Sequence, residues 1–181
     1  MDLLQAIQKL NARMAIGSSS MRGAGSAGVV RCAQEFLGEL PLRPFGTTSR
    51  ANFLSQLDGA TDDLKLALPK GAQRWGVARK GLNIFLRNCL YTTYLRDEYD
   101  LGRAEKFFEV PLDSITGARL VKESRGELPP WETVRGLRAK RSSAYQVLAA
   151  KLAAKEGVAR VHLDALWWGQ RTAEDDADPV D

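Results

Sequence analysis

Apolar residues recur at intervals of three and four along most of the chain, and the strict alternation that marks a half-buried strand is almost absent. Over residues 2–15, one helical face carries Leu3, Leu4, Ile7, Leu10 and Met14. The longest pattern, over about 72–96, includes Trp75, Ala78, Leu82, Phe85, Leu86 and Cys89. The sequence therefore predicts an all-α fold, built as a compact multi-helix single domain.

Glycine, serine and proline residues divide this pattern into separate helices. After the helix over 2–15, helices are expected near 28–38, across 48–57, from 61 to 68, over 72–96, near 101–107, from 113 or 114 toward 120, from 129 onward, from 142 or 143 through 155, and over 160–169. The segment 107–111 is expected to be extended, because Val110 precedes a proline and such a residue avoids the helical region.

Size and composition indicate one soluble domain. The chain has 181 residues and a mass of 19.9 kDa, with 44% apolar and 27% charged residues. No stretch approaches the roughly 18 apolar residues of a membrane span, and Asp2 stands where a signal peptide carries positive charge. We expect a cytoplasmic protein with no membrane partner, a domain over 1–171, and an acidic, disordered tail over 172–181.

Charge is distributed unevenly along the chain. The formal net charge is +4, but five of the 22 acidic residues lie in the last ten positions. Residues 1–171 therefore carry 26 basic and 17 acidic residues, a net charge of about +9. Such an excess favours a polyanionic partner such as DNA. The residues that we assign to a nucleic-acid surface are Arg22, Arg74, Arg79, Asn83, Arg87, Arg135, Arg138, Lys140 and Arg141.

The sequence contains few residues that could bind a metal or react as a thiol. Cys32 and Cys89 fall in helical patterns among apolar neighbours, where a free cysteine is usually buried. Neither has a second cysteine or a histidine at metal-ligand spacing. His162 is the single histidine, so a histidine-based metal site or catalytic triad is not expected. We expect neither a metal nor a cofactor.

The segment 17–28 is rich in glycine and serine. Its glycines resemble part of a GxGxxG dinucleotide-binding pattern, but the segment follows a helix instead of a strand, and no βαβ unit surrounds it. Two interpretations stay open. The segment is an ordinary flexible connection, or its backbone amides at the start of the next helix hold a phosphate or an acidic group beside Arg22.

One lysine and one aspartate are the candidates for chemistry. Lys80, Asn83 and Arg87 follow one another at i, i+3 and i+7 in the longest predicted helix and form a polar stripe separate from its apolar one. Asp113 follows the proline-bearing segment Val110–Leu112. Ordinary interpretations also exist, because a lysine on a polar helix face is usually solvated and an aspartate here often caps the next helix.

The stretch from Trp75 to Leu120 resembles the core of the helix-hairpin-helix DNA glycosylase superfamily, most closely its archaeal 8-oxoguanine glycosylase branch. In that branch a lysine opens a long apolar helix, and an aspartate follows a motif of the form Ile/Val-Pro-Ile/Leu-Asp. Lys80 matches the lysine nucleophile, and Asp113 in Val110-Pro111-Leu112-Asp113 matches the catalytic aspartate. The 33-residue offset between them suits this branch, and the resemblance covers about a quarter of the chain.

The resemblance implies an enzyme that excises or processes a modified base in DNA, in repair or antiphage defence. The Asp113 carboxylate would stabilise positive charge on the sugar. A neutral Lys80 amine, its pKa lowered by Arg79 and by desolvation, would attack the anomeric carbon and form an imine. The target base must leave the duplex stack, so an aromatic pocket is expected, with Trp75, Phe107 and Trp131 as its candidates.

Two other classes of function stay open. One is a non-catalytic protein that binds DNA or another partner on the same fold. The other is a transferase that hypermodifies DNA bases in a phage or defence system, and this enzyme would need a second small-molecule substrate. The sequence sets neither the target base nor the oligomeric state.

Overall fold

The computed structural model describes residues 2–25 and 27–169, and every regular element in these ranges is a helix. The α-helices of this part of the chain are α1 (Leu3–Ala15), α2 (Val29–Gly38), α3 (Arg50–Ala67), α4 (Trp75–Tyr91), α5 (Thr93–Glu98), α6 (Ser114–Glu123), α7 (Ala139–Lys155) and α8 (Leu163–Gly169). Short 3-10 helices occupy Arg43–Phe45, Lys70–Ala72, Leu101–Phe107 and Arg160–His162. The all-α prediction is confirmed for these residues. The tail predicted over 172–181 lies outside them.

Side-chain caps set where several helices begin. Asp2 accepts a hydrogen bond from the Gln5 backbone N–H at 2.8 Å and caps α1. Ser49 caps α3 through the Asn52 N–H; the sequence offered Thr48 or Ser49 for this role. Such oxygens satisfy N–H groups that have no partner inside the helix, and each contributes about 1 kcal/mol. No helix in the described ranges is long and apolar enough to cross a membrane.

Two predicted boundaries in the first half of the chain are wrong. The helices expected across 48–57 and from 61 to 68 form one continuous helix, α3. Thr61 does not cap a second helix, because its hydroxyl donates to the Leu57 carbonyl at 2.6 Å inside α3. The helix expected over 72–96 is divided into α4 and α5 at Thr92, whose backbone is extended with φ −89° and ψ 107°.

The helix expected from 129 onward is also absent, and residues 129–138 are irregular. The Pro129 carbonyl accepts from Tyr145 Oη at 2.7 Å, and the Pro130 carbonyl accepts from Arg141 at 2.5 Å. These two carbonyl groups therefore accept hydrogen bonds from side chains of α7, whereas in a helix they would accept from backbone N–H groups. α7 itself begins at Ala139, three residues before the predicted start at Ser142.

The buried apolar side chains form two clusters that meet along α4. The first lies among α1 to α5, with Leu37, Phe53, Leu64, Leu82 and Phe85 at its centre. The second lies around α6 and α7 and contains Val110, Leu112, Leu120, Tyr145 and Ala149. Full burial of one such side chain contributes about 1.5–3 kcal/mol, so this packing holds α1, α2, α3 and α5 around α4 and α7 against α6.

The N-terminal turn of α4 packs directly against backbone. A Cβ atom added at Gly76 would collide with the Val134 carbonyl, so the absence of a side chain lets the irregular segment 134–137 lie against α4.

The cysteines differ in their surroundings. Cys89 is fully buried and burial raises the pKa of its thiol, whereas Cys32 is only partly buried. The prediction of a core thiol is therefore confirmed for Cys89 alone.

Candidate active site

The structure brings Lys80 and Asp113 close enough to interact electrostatically. Lys80 lies in the second turn of α4, and only 8% of its surface is exposed. Burial lowers the pKa of its amine, the Asp113 carboxylate raises this pKa in part, and the Arg22 guanidinium lowers it again. The net effect is a lowered pKa. The Lys80 amine therefore becomes neutral, and so nucleophilic, at a lower pH than the amine of an exposed lysine.

The Lys80 amine makes no hydrogen bond or ion pair within the described ranges. A buried lysine is normally paired, because removing a charge from water is costly. The Asp113 carboxylate does not pair with the amine directly. One of its oxygens accepts from the Thr116 backbone N–H at 2.9 Å and caps α6, which is the ordinary role considered above. A capping role and an electrostatic effect on Lys80 coexist in the same carboxylate.

The glycine- and serine-rich segment packs beside Lys80. Met21 lies over the backbone of α4 at Gly81, where an added Cβ would come within 3.3 Å of the Met21 methyl group. Arg22, the next residue, is the cation that lowers the pKa of Lys80. The sequence assigned this effect to the adjacent residue Arg79, and that assignment is wrong because Arg79 is neutralised elsewhere.

Arg135 contacts the same glycine-rich segment. A Cβ at Gly25 would lie 3.0 Å from its Nη1 atom, so the guanidinium rests against glycine backbone. This contact joins the segment to the irregular connection before α7.

Five of the predicted nucleic-acid residues are exposed and form no ion pair with any residue in the described ranges: Arg22, Arg74, Arg135, Arg138 and Lys140.

Arg79 and Asn83 belong instead to a buried polar network. Arg79 binds Glu109 with two hydrogen bonds of 2.8 and 3.1 Å, and its third nitrogen contacts Asp58 and Thr61. Asn83 donates to Glu109 at 3.1 Å. Arg79 and Asn83 are 5% and 3% exposed. Both therefore leave the candidate DNA surface, since their polar groups are used inside the protein.

Burial by itself would raise the pKa of Glu109, but the hydrogen bonds and the positive charge of Arg79 outweigh it, with help from Asn83 and Arg160. The net pKa of Glu109 is lowered, so it stays ionised. Arg160 binds the neighbouring backbone, donating to the carbonyls of Phe107 and Phe108 at 2.9 Å each. The network thus fixes the segment that leads to Asp113.

Two further arginines predicted to contact DNA, Arg87 and Arg141, form ion pairs inside the protein. Arg87 forms an ion pair with Asp164 of α8. Burial lowers the pKa of Arg87, while Tyr91 and Asp113 raise it, so Arg87 also lies within electrostatic reach of Asp113. Arg141 pairs with Glu132 at 2.7 Å. Neither arginine is freely available to a phosphate in this conformation.

The three candidate pocket aromatics pack against different neighbours. The Trp75 ring faces the Arg79 guanidinium at 5.2 Å. Phe107 contacts the Phe53 ring at 5.9 Å. Trp131 stands edge-on to Tyr145 at 5.5 Å and covers Gly117, while its buried Nε1 has no hydrogen-bond partner. Trp75 and Trp131 pack against the second cluster and Phe107 against the first, so the structure does not gather the three into one pocket.

The sequence did not identify a polar chain near the end of α4. His162 contacts Tyr91 Oη through Nδ1 and Glu105 through Nε2, each at 2.9 Å. Burial raises the pKa of Tyr91, the Arg87 charge opposes this, and Glu105 adds to it. The three residues lie 14 to 71 positions apart along the chain, and no motif marks them. His162 therefore has two polar partners instead of a core environment.

The two most defined surface depressions, of about 490 and 480 Å³, lie elsewhere. Both include Glu39, Leu40 and Pro41 in their walls, and neither is lined by Lys80 or Asp113. Across the described residues, no group of three histidine, cysteine or acidic side chains could hold a metal ion.

No protein-family model matches the chain, and no match was found among curated proteins or among solved structures.

Proposed function

We propose that the protein binds DNA and acts as a helix-hairpin-helix glycosylase-like enzyme, with Lys80 as nucleophile and Asp113 as catalytic carboxylate. One observation carries this proposal. The Lys80 side chain is largely buried, its amine has no hydrogen-bond partner in the described part of the chain, its pKa is lowered, and a carboxylate lies within electrostatic reach. Groups whose pKa is shifted by desolvation together with a specific charge are concentrated at functional sites.

The reaction assigns a separate task to each group. As the bond between the sugar and the base breaks, the base leaves with the bonding electron pair and positive charge develops on the sugar. Asp113 stabilises this charge, and the lone pair of Lys80 Nζ attacks the C1′ carbon. Loss of the amine proton and opening of the sugar ring then give an imine, which permits strand cleavage.

Exposed basic residues support DNA as the partner. Arg22 is close enough to Lys80 to lower its pKa, and Arg135 contacts Gly25 in the same glycine-rich segment. Arg74, Arg138 and Lys140 are exposed as well. Exposed cations without acidic partners are available to phosphates, and such contacts provide most of the affinity that does not depend on sequence.

A second candidate function is DNA or partner binding without catalysis. The low exposure of Lys80 favours it, because only 8% of the residue's surface is open to solvent, which leaves little room for a sugar at the amine. The absence of Lys80 from the walls of both depressions favours it too. A base-modifying transferase would need a site for a second small molecule, and no observation specifically favours one.

Borohydride trapping tests the proposal, because borohydride reduces an imine to a stable covalent link. Wild-type protein is incubated with a panel of duplexes that carry modified bases or an abasic site, and adducts are resolved by denaturing electrophoresis. We expect an adduct in the wild type that Lys80→Gln abolishes. Asp113→Asn is expected to slow its formation about 100-fold or more, the usual effect of removing a charge-stabilising group.

Lys155→Gln is the matched control, because Lys155 is an exposed lysine at the end of α7. Its adduct should equal that of the wild type. No adduct and no base release on any substrate, with DNA binding retained, would contradict the catalytic proposal and support the binding-only function. No DNA binding by any variant would contradict the catalytic proposal and DNA binding alike, and would leave only another partner.

A further inference from the structure

Arg87 lies two turns beyond Lys80 on α4, and an acidic residue from the end of the described chain holds its guanidinium. Asp164, in the first turn of α8, forms the ion pair with Arg87 Nη1. The two side chains are 18% and 13% exposed. A pair at this depth is screened less by salt than a surface pair, so Arg87 is strongly occupied in this conformation.

The ion pair leaves part of Arg87 unsatisfied. Its Nε atom is buried and has no hydrogen-bond partner within the described ranges. A guanidinium presents its donors in a planar fork, which matches two oxygens of one phosphate at the same time. The Nε–H of Arg87 is therefore an unused donor, and an acceptor oxygen reaches it only when the residues that cover it move.

Arg87 also lies near the Lys80–Asp113 pair. The Asp113 carboxylate acts on both cations, raising the pKa of Lys80 and that of Arg87. Seven residues of α-helix span about 10.5 Å. One DNA strand carries a phosphate about every 3.4 Å along the axis, so the same distance covers about three nucleotides. A phosphate at Arg87 would belong to the short stretch of strand whose sugar lies at Lys80.

Helix α8 bridges α4 and α6 at this point. Asp164 contacts Arg87 of α4, and the Trp167 ring faces the Arg119 guanidinium of α6 at 4.6 Å. α8 has seven residues, and Leu166 is exposed. A helix this short has little stability of its own, and its first residue, Leu163, anchors it in the second cluster.

We propose that Arg87 is a phosphate-binding residue and that Asp164 occupies the place of the phosphate until DNA binds. A carboxylate oxygen and a phosphodiester oxygen are equivalent acceptors for a guanidinium. When a DNA strand enters beside Lys80, one of its phosphates replaces the Asp164 carboxylate on Arg87. The contact between α8 and α4 through Asp164 is then broken. This inference rests on the proposed DNA binding and adds an internal competitor to it.

The test is the affinity for a labelled duplex containing a stable abasic-site analogue, measured by fluorescence anisotropy at several salt concentrations. Asp164→Asn is compared with Asp97→Asn, which makes the same change in net charge in an exposed pair with Arg96. We expect Asp164→Asn to bind about tenfold more tightly than Asp97→Asn, equal to about 1.4 kcal/mol. Adding Arg87→Gln should abolish that gain and make the salt slope shallower by about 0.9.

A measurement on the wild type covers the case in which Asp164→Asn fails to fold, since Asp164 also supplies the negative charge favoured in the first turn of α8. The Nε–H signal of Arg87, assigned by its loss in Arg87→Gln, should move when DNA is added. Equal affinities of Asp164→Asn and Asp97→Asn, or a stationary Arg87 signal in DNA-bound protein, would overturn this inference alone. Absence of DNA binding in every protein would overturn the proposed function with it.

Discussion

Arg79 and Lys80 are neighbours on α4, and the fold treats their charges in opposite ways. The Arg79 guanidinium is surrounded by Glu109, Asp58 and Thr61, and all three of its nitrogens are hydrogen-bonded. The Lys80 side chain is almost equally buried, yet its amine has no such partner in the described ranges. The two residues point to different sides of the helix: Arg79 points toward α3 and Lys80 toward Asp113.

The difference separates a charge that is used inside the fold from one that is left for the proposed chemistry. A buried charge with a complete set of partners keeps its ionisation and locks neighbouring segments together, but it has no capacity left for a ligand. A buried amine without a partner destabilises the fold and is readily deprotonated. Such a cost is typical of a residue retained for chemistry, since activity and stability compete at active sites.

The largest expected effect is the loss of the structural pair. Glu109→Ala leaves the Arg79 guanidinium buried and uncompensated, so the free energy of unfolding should fall by about 3–5 kcal/mol. Urea denaturation followed by circular dichroism measures it. A loss below about 1 kcal/mol would mean that the network is solvated in solution and would remove the contrast with Lys80.

Acid should weaken the same network. The folded-state pKa of Glu109 is lowered, so the unfolded chain takes up the proton first as pH falls. The stabilisation is present above the unfolded value of about 4.3 and is lost as pH drops through the folded value. Glu109→Gln should flatten the pH dependence of the free energy of unfolding in this range. An unchanged slope would show that Glu109 titrates normally.

Lys80→Met should have the opposite sign. Because the folded-state pKa of Lys80 is lowered, its ionised form costs stability below that pKa, and this cost disappears as pH rises through about 10.4. Replacing the amine with an apolar side chain of similar length should raise the free energy of unfolding by about 0.5–2 kcal/mol at neutral pH. A drop in the melting temperature would instead indicate that the amine supports the fold.

The smallest effect is expected at an exposed pair. Arg43 and Glu98 are 2.8 Å apart, but their side chains are 66% and 43% exposed. Arg43→Ala should therefore change the free energy of unfolding by less than about 1 kcal/mol, and added salt should reduce the change. A loss as large as that of Glu109→Ala would show that burial does not control the difference.

The helical class and most helix starts were predictable, because local signals such as the Ser49 cap and the apolar stripe of α4 determine them. The division at Thr92 and the irregular chain after Pro129 were not, since tertiary contacts compete with helical preference there. Arg79 and Lys80 were equally basic in the sequence, and only the distant Glu109 separates their roles. Asp164 and Arg22 likewise act on α4 from remote positions without any local motif.

The pKa of Lys80 is the most direct test of the central claim, that an unpaired amine is held beside Asp113. It can be followed by NMR titration of lysine side-chain carbons, with Lys80 assigned by its loss in Lys80→Gln. We predict a midpoint below the ordinary value of about 10.4, and a still lower one in Asp113→Asn, which removes the charge that raises it. A Lys80 signal that titrates together with the other lysines, and does not respond to Asp113→Asn, would contradict the account.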